Sequence, residues 1–420
     1  MKRLLVLFTA LSILLLIVLP ACGGGGGEKT LTPTRTVTPT ASLTATATPV
    51  STPTATPVTT ATPTPTAAEG PVKIGCMTAW SGPSAMAGMY FADPVIKLVE
   101  KQVKDQGGIL GGREVQCVRY DTGGSVAQAG AGAVKLLTDD NVSVICWGGA
   151  GASEIEAVGT FAEQNKILFV PFAIPFGYQG TTALNPTFSY DDNRVQMALL
   201  LNKVLKPKTI GIIAADDAHD SRLRVSQLKP DLAASGINIV YEQYSPLDTL
   251  DYSSYLTKLK YANPDVVYLD FTSNEPYLTI AKQMMELGGW GNMKVMCMSG
   301  AEAAKKLTGA QGWYLVTPWL PDSQYPASQK FVQDFQAVNG NTPQANQVYF
   351  YNSLSTAVYA IKLAGTDTDR AKIIQVARSG NLEWDTPMGY AHFGTDGLSG
   401  LHETLAQIEG KNVVSVVIPQ

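Results

Sequence analysis

Residues 71–298 alternate short apolar runs with segments of helical periodicity, a rhythm that admits few folds. Val72–Met77 is an apolar run, and from Pro94 to Lys104 the residues Val95, Leu98, Val99 and Val103 recur at helical spacing. Gly107-Gly108 is expected to stop that helix, because glycine accepts the left-handed conformation. Strand Glu114–Tyr120, helix Val126–Leu137, strand Val142–Trp147, helix Glu154–Asn165 and strand Ile167–Val170 are expected to complete a first series. After a loop at 171–191 comes a second: helix Arg194–Leu205, strand Thr209–Ala215, helix Ser221–Ala234, strand Ile237–Tyr241, helix Tyr252–Tyr261, strand Val266–Phe271, helix Pro276–Leu287 and strand Lys294–Met298. Strands alternating with helices predict an α/β protein with parallel sheets covered on both faces. Residues 71–420 are too many for one comfortable core, so two similar lobes are expected.

The chain opens on different material. Lys2 and Arg3 precede an apolar run from Leu4 to Leu19, short for a membrane span of ~20 residues. Residues 1–21 therefore read as a signal peptide. Leu19-Pro20-Ala21-Cys22 resembles the bacterial lipobox, making Cys22 the candidate acylated residue; an ordinary secretory signal and an uncleaved anchor are the alternatives. Residues 22–70 are glycines followed by a Thr/Pro-rich tether whose only charges are Glu28, Lys29, Arg35 and Glu69. Such a segment buries too little apolar surface to offset its ordering entropy. Its prolines favour an extended form with a reach on the order of 130 Å. Without Lys2 and Arg3, 29 basic residues face 35 acidic ones, and no basic stretch invites nucleic acid. Cys76, Cys117, Cys146 and Cys297 lie in apolar runs and are expected to be buried thiols, since adjacent parallel strands rarely offer disulfide geometry.

Several short stretches carry a family resemblance. Val72-Lys73-Ile74-Gly75, Trp80-Ser81-Gly82-Pro83, Gln106-Gly107-Gly108-Ile109-Leu110-Gly111-Gly112-Arg113 and Arg119-Tyr120-Asp121 resemble the start of the type I periplasmic binding proteins of the leucine/isoleucine/valine-binding family. Met388-Gly389 and Phe393-Gly394-Thr395-Asp396-Gly397 resemble its closing segment. The resemblance covers 71–420 and implies two Rossmann-like lobes joined by three crossovers, with a ligand trapped between them and closure about a hinge. It implies lobe 1 at 71–191 and 318–390 and lobe 2 at 192–317 and 391–420. A monomer is expected, working with the permease subunits of an ABC importer and held at the membrane by its N-terminal lipid.

Ligands of such folds bind at the carboxyl ends of the strands. That rule selects Trp80, Ser81 and Ser84 after the first strand, Trp147 and Gly151-Ala152-Ser153 after the third, and Phe172 and Ile174 after the fourth. In the second lobe it selects His219, Phe271, Ser299 and Glu302. Amino-acid-binding relatives use a Ser in the third loop, a Thr in the fourth and an acid in the second lobe; Gly151, Ile174 and Ser299 stand there, with Glu302 nearby. His219 and Phe271 fall at or near tyrosine positions. Backbone N–H groups from Gly151 to Ser153 remain as anion donors. The bland readings stay beside these. Ser153 and Glu156 fit a capping box, Trp80 and Trp147 are each either core or cleft wall, and His219 is either a surface residue or a ligand donor. Phe172 and Phe271 suit a flat or apolar ligand from two sides. Asp93-Pro94 reads as a helix start, leaving 81–92 as a long loop.

Nothing points to catalysis. The three histidines are His219, His392 and His402, and no His-Glu-x-x-His, Gly-x-Ser-x-Gly, Cys-x-x-Cys or phosphate-loop ending is present. No cofactor or metal is implied. The expected function is an exported solute-binding lipoprotein; a sensor of the same fold and a surface hydrolase or adhesin are the alternatives.

Overall fold

The computed structural model describes residues 70–418 except 83, 173–179, 218–219 and 272, and except the side chains of 190 and 299–302. The first sheet contains β1 (Val72–Thr78), β2 (Val115–Asp121), β3 (Val144–Trp147) and β4 (Leu168–Pro171), all parallel in the order β2-β1-β3-β4. The connecting helices are α1 (Asp93–Asp105), α2 (Val126–Thr138) and α3 (Ala152–Asn165). Strand alternation explains how both faces are filled. Ile74, Cys76, Val144, Cys146, Leu168 and Val170 point into one core, and Met77, Ile145 and Phe169 into another.

Helix α4 (Tyr190–Leu199) begins the second series. It continues as β5 (Thr209–Ala215), α5 (Ser221–Ala234), β6 (Asn238–Ser245), α6 (Ser253–Ala262), β7 (Val266–Asp270), α7 (Glu275–Leu287), β8 (Lys294–Met298) and β9 (Tyr314–Thr317). The chain returns through α8 (Pro326–Asn339), α9 (Ala345–Ala364), α10 (Arg370–Ala377) and the hairpin β10 (Glu383–Thr386) and β11 (Gly389–His392). It ends with β12 (Thr404–Glu409) and β13 (Asn412–Ser415). The second sheet runs β13-β12-β9-β8-β7-β5-β6, parallel from β9 to β6 and antiparallel at β12 and β13. The molecule is thus an α/β protein with two lobes. Phe331, Phe335, Phe350, Phe393 and Leu401 pack into the first lobe's core. Lobe 1 therefore extends to about residue 401 rather than stopping at 390, because the segment after β11 still buries its apolar residues there.

Three segments cross between lobes. Asn185 N donates to Gly397 O at 2.7 Å, and Ser399 Oγ donates to Thr187 O at 2.6 Å, so the first and third crossings run side by side. In the second, Trp319 belongs to the lobe 1 core and Leu320 to the lobe 2 core. Two crossings leave the carboxyl ends of parallel strands β4 and β9, and the third enters β12 at Thr404, which pairs with Thr317 at the end of β9. The carboxyl edges of both sheets therefore flank the crossings.

One expected loop is helical. A wide turn, Ala87–Ala92, leads directly into α1, with Asp93 N donating to Gly88 O five residues back. Pro94 has no N–H to offer Tyr90 O. Gln347 of α9 supplies that donor instead, its Nε2 lying 2.9 Å from Tyr90 O. A π-turn tolerates the ring where an α-turn would clash. The four described cysteines are buried thiols without a bridge, and burial pushes Cys76, Cys146 and Cys297 well up.

Candidate functional site

The loops at the carboxyl ends of the first sheet hold each other in place. Trp80 N and Ser81 N donate to Asp121 Oδ1 at 2.8 and 3.2 Å, and Gly123 N joins them at 2.9 Å. Burial alone raises Asp121, but the Ser81 side chain and these N–H groups outweigh it and hold the carboxyl below its usual range. Ser81 is therefore committed to fastening the first loop to the second. Ser84 is exposed beside Gly124.

Trp80 is half-buried. Its indole N–H donates to Asp93 Oδ1 at 3.0 Å, and Arg119 Nε shares that oxygen at 2.9 Å. The ring lies over Gly88, where an added Cβ would stand 2.5 Å from Trp80 Cγ. Phe172 is half-buried too and stacks on Phe350 of α9, centroids 5.4 Å apart and planes 11° apart. Phe91 and Trp147 also contact Phe350. Phe91, Trp80 and Phe172 are among the partly exposed apolar residues packed against this core. Phe91 and Phe350 were not selected from the sequence. Phe350 lies on α9, where helical spacing reads simply as core, and Phe91 lies in the segment expected to be a loop.

Two aromatic expectations are corrected. Trp147 is fully buried, and its Nε1 donates to Phe350 O at 3.2 Å, so it is core and not wall. It takes φ +71°, which is costly for a bulky residue, and Gly148 and Gly149 follow at +86° and +147°. The anchored indole fixes this bent third loop. Phe271 is only 4% exposed, with its ring edge-on to Tyr252 and Tyr277. It belongs to the core of lobe 2 and does not face Phe172.

The cap of α3 is also corrected. Gly151 is the N-cap, Ala152 and Ser153 are the first helical residues, and Ser153 provides no cap. Glu154 does: its Oε2 accepts Ala150 N and Gly151 N, each at 3.0 Å. The Ser-x-x-Glu spacing from 153 to 156 pointed two residues too far along. The pair Gly149 and Glu154 was the better signal, since only glycine leaves room for the carboxylate to fold back.

In lobe 2, Asp270 ends β7 without exposure to solvent. Arg224 of α5 donates to both its oxygens, Ser221 Oγ donates at 2.9 Å, and the Tyr268 hydroxyl donates as well. Arg224 also pairs with Asp220. At the third crossing Glu403 is buried, accepting from Asn193 Nδ2, while its backbone N–H donates to Asp192 Oδ2 at 2.9 Å. Burial pushes Glu403 up to about 8; Asp192 adds to the rise, and Asn193 and Arg224 oppose it. Ser299 and Glu302 lie on the 3-10 turn after β8, with side chains outside the described atoms. Cys22, Ile174 and His219 lie outside the described residues. Among the described residues no cluster of three metal-ligating side chains occurs, and no helix is long and apolar enough to cross a membrane.

Comparison with known proteins agrees with this architecture. The family model described as periplasmic binding protein matches residues 71–411. A Leu/Ile/Val-binding protein homolog 4 from Brucella melitensis is 24% identical over 311 residues, covering 70% of this chain and 71% of its own. The leucine binding protein LivK of Thermotoga maritima superposes with TM-score 0.71 at 20% identity, over 83% of this chain and 98% of its own. A solute binding protein of an ABC transporter from Rhodopseudomonas palustris, solved with 3,4-dihydroxy benzoic acid, gives 0.73 at 18% identity, over 83% and 96%. The chain belongs to the periplasmic binding proteins, in the type I group that includes the Leu/Ile/Val-binding proteins.

Proposed function

We propose that this protein is an extracytoplasmic solute-binding lipoprotein of an ABC importer that traps a small ligand with a flat or apolar face between its lobes. The observation that carries this is the placement of half-buried Trp80, Phe91 and Phe172 around one core, at the sheet edge that adjoins the crossings. Aromatic faces left partly open beside a hinge suit stacking and apolar burial. The 3,4-dihydroxy benzoic acid held by a protein of the same fold has that flat shape. Amides, amino-acid-like molecules and aromatic metabolites are the candidates. We assign Ser84 and the backbone of Gly151, Ala152 and Ser153 to the site, together with Ile174, His219, Ser299 and Glu302 from their sequence positions alone. Membrane attachment is assigned to acylation at Cys22, which predicts that Cys22→Ser leaves the membrane fraction; retention would favour an uncleaved anchor.

Calorimetry on residues 71–420 tests the ligand class. Free leucine, isoleucine and valine are expected to bind weakly, because hydroxyl and acidic clamp positions are taken by Gly151, Ile174 and Ser299. Each lost hydrogen bond to a charged group costs about 1.5–3 kcal/mol, so two losses weaken binding by roughly two to four powers of ten. Micromolar binding of leucine would contradict this assignment.

A further inference from the structure

The first and third crossings are tied to each other at both ends, and the ties differ in kind. At lobe 1, Asn185 N donates to Gly397 O at 2.7 Å and Ser399 Oγ donates to Thr187 O at 2.6 Å, and neither bond involves a titrating group. At lobe 2 the ties are carboxyl groups. Glu403 N donates to Asp192 Oδ2 at 2.9 Å, His402 Nδ1 lies 2.7 Å from Asp192 Oδ1, and Asn193 Nδ2 donates to Glu403 Oε2. Asp192 and Asn193 stand in the first turn of α4, which the first crossing enters, and Glu403 precedes β12, which the third crossing enters.

Asn193 is fully buried and Glu403 is 5% exposed. Once Nδ2 has bonded Oε2, the atoms left over in this pair are Glu403 Oε1 and Asn193 Oδ1. Both are buried with no hydrogen-bond partner among the described residues. Two unpaired acceptors within one carboxyl–amide pair are costly. A single proton on the carboxyl removes the mismatch, because an acid and an amide are complementary: Oε1–H donates to Oδ1 while Nδ2–H donates to Oε2. Turning the amide over would set two oxygens face to face and ask for the same proton. The surroundings agree. Burial is the main influence on Glu403, pushing it up to about 8; Asp192 of α4 adds to the rise, and Asn193, Arg224 of α5 and the Tyr349 hydroxyl of α9 oppose it.

We propose that Glu403 and Asn193 form a two-bond ring of carboxylic acid and amide, a proton-dependent tie that holds the first and third crossings together at their lobe 2 end. When the proton leaves to solvent, Oε1 becomes an acceptor facing an acceptor beside Asp192, and the ring opens. The lobe 1 end keeps its bonds. An alkaline medium therefore frees one end of the paired crossings and leaves the other fastened, whatever the ligand.

Hydrogen exchange on residues 71–420 at pH 6.5 and pH 9, corrected for the intrinsic rate at each pH, tests this. The residue 403 amide, bonded to Asp192, reads the lobe 2 end; the Asn185 amide, bonded to Gly397, reads the lobe 1 end. One unit above a value of about 8, the ionised form outweighs the protonated one roughly tenfold, so protection at Glu403 is expected to fall by about that factor while Asn185 holds. Glu403→Gln should keep its protection at both pH values, since a glutamine amide closes the same ring without a titrating proton. Asn193→Leu should show low protection at residue 403 already at pH 6.5. Unchanged protection in wild type, an equal fall at both ends, the same fall in Glu403→Gln, or wild-type protection in Asn193→Leu would each overturn the proposal. Should the variants fail to fold, carboxyl ¹³C shifts of wild type decide: a glutamate titrating above pH 7 is expected, and every glutamate titrating in the ordinary range overturns it.

Discussion

Replacing Arg224 with methionine is expected to cost roughly 3–5 kcal/mol of stability, the usual effect of leaving a buried charge unpaired. Asp270 is fully buried, and Arg224 is its cationic partner among the described residues. Without it, Ser221 and Tyr268 are the remaining donors. Methionine retains much of the volume, so the loss reports the uncompensated carboxylate and not a cavity. Urea unfolding of wild type, Arg224→Met, Asp270→Asn and the double variant measures it. The double variant should recover much of the loss, since it removes both charges together. A single Arg224→Met within about 1 kcal/mol of wild type would show that the pair does not stabilise lobe 2 as described.

Glu403 gives the second large effect, through pH. Its folded value is about 8 against an ordinary 4.5, chiefly because of burial. The folded protein therefore holds this proton more tightly than the unfolded chain does. The stability it confers is full below pH ~4, declines as pH rises, and is lost above about 8, a total of roughly 3–5 kcal/mol. Melting curves from pH 5 to 9 should show wild type losing stability relative to Glu403→Gln, with the variant more stable at pH 9. Curves that stay parallel would place the Glu403 titration elsewhere. Glu403 sits where the third crossing meets Asp192 and Asn193 in the first turn of α4.

The strand and helix series were legible because the central strands are apolar on both faces, the edge strands β2 and β6 alternate, and the helices between them repeat at their own period. Strand Lys294–Met298 was read to the residue. What escaped depends on contacts between distant parts of the chain. Pro94 reads locally as a helix start. It does stand in the first turn of α1, but a wide helical turn, Ala87–Ala92, precedes it, where Gln347, far along the chain, supplies the donor that proline lacks. Trp147 ends a strand, where core and cleft wall read alike, and its positive φ turns the indole inward onto Phe350. Phe271 follows a strand as well, and the Tyr277 hydroxyl, bonded to both its N–H and its C=O, fixes it inside lobe 2. Nothing local marks Arg224 of α5, because its buried partner, Asp270, comes from β7. The third crossing was placed early because the hairpin before it gives no apolar period to follow, while Phe393 and Leu401 still bury in lobe 1.

The central claim is that two lobes close on a solute at the edge where the crossings run. Small-angle scattering of residues 71–420 tests it most directly, measured free and then saturated with a ligand whose binding calorimetry has established. The account predicts a smaller radius of gyration in the bound state, as the lobes swing about the paired segments at Asn185–Thr187 and Gly397–Ser399. Superimposable profiles at proven saturation would contradict it.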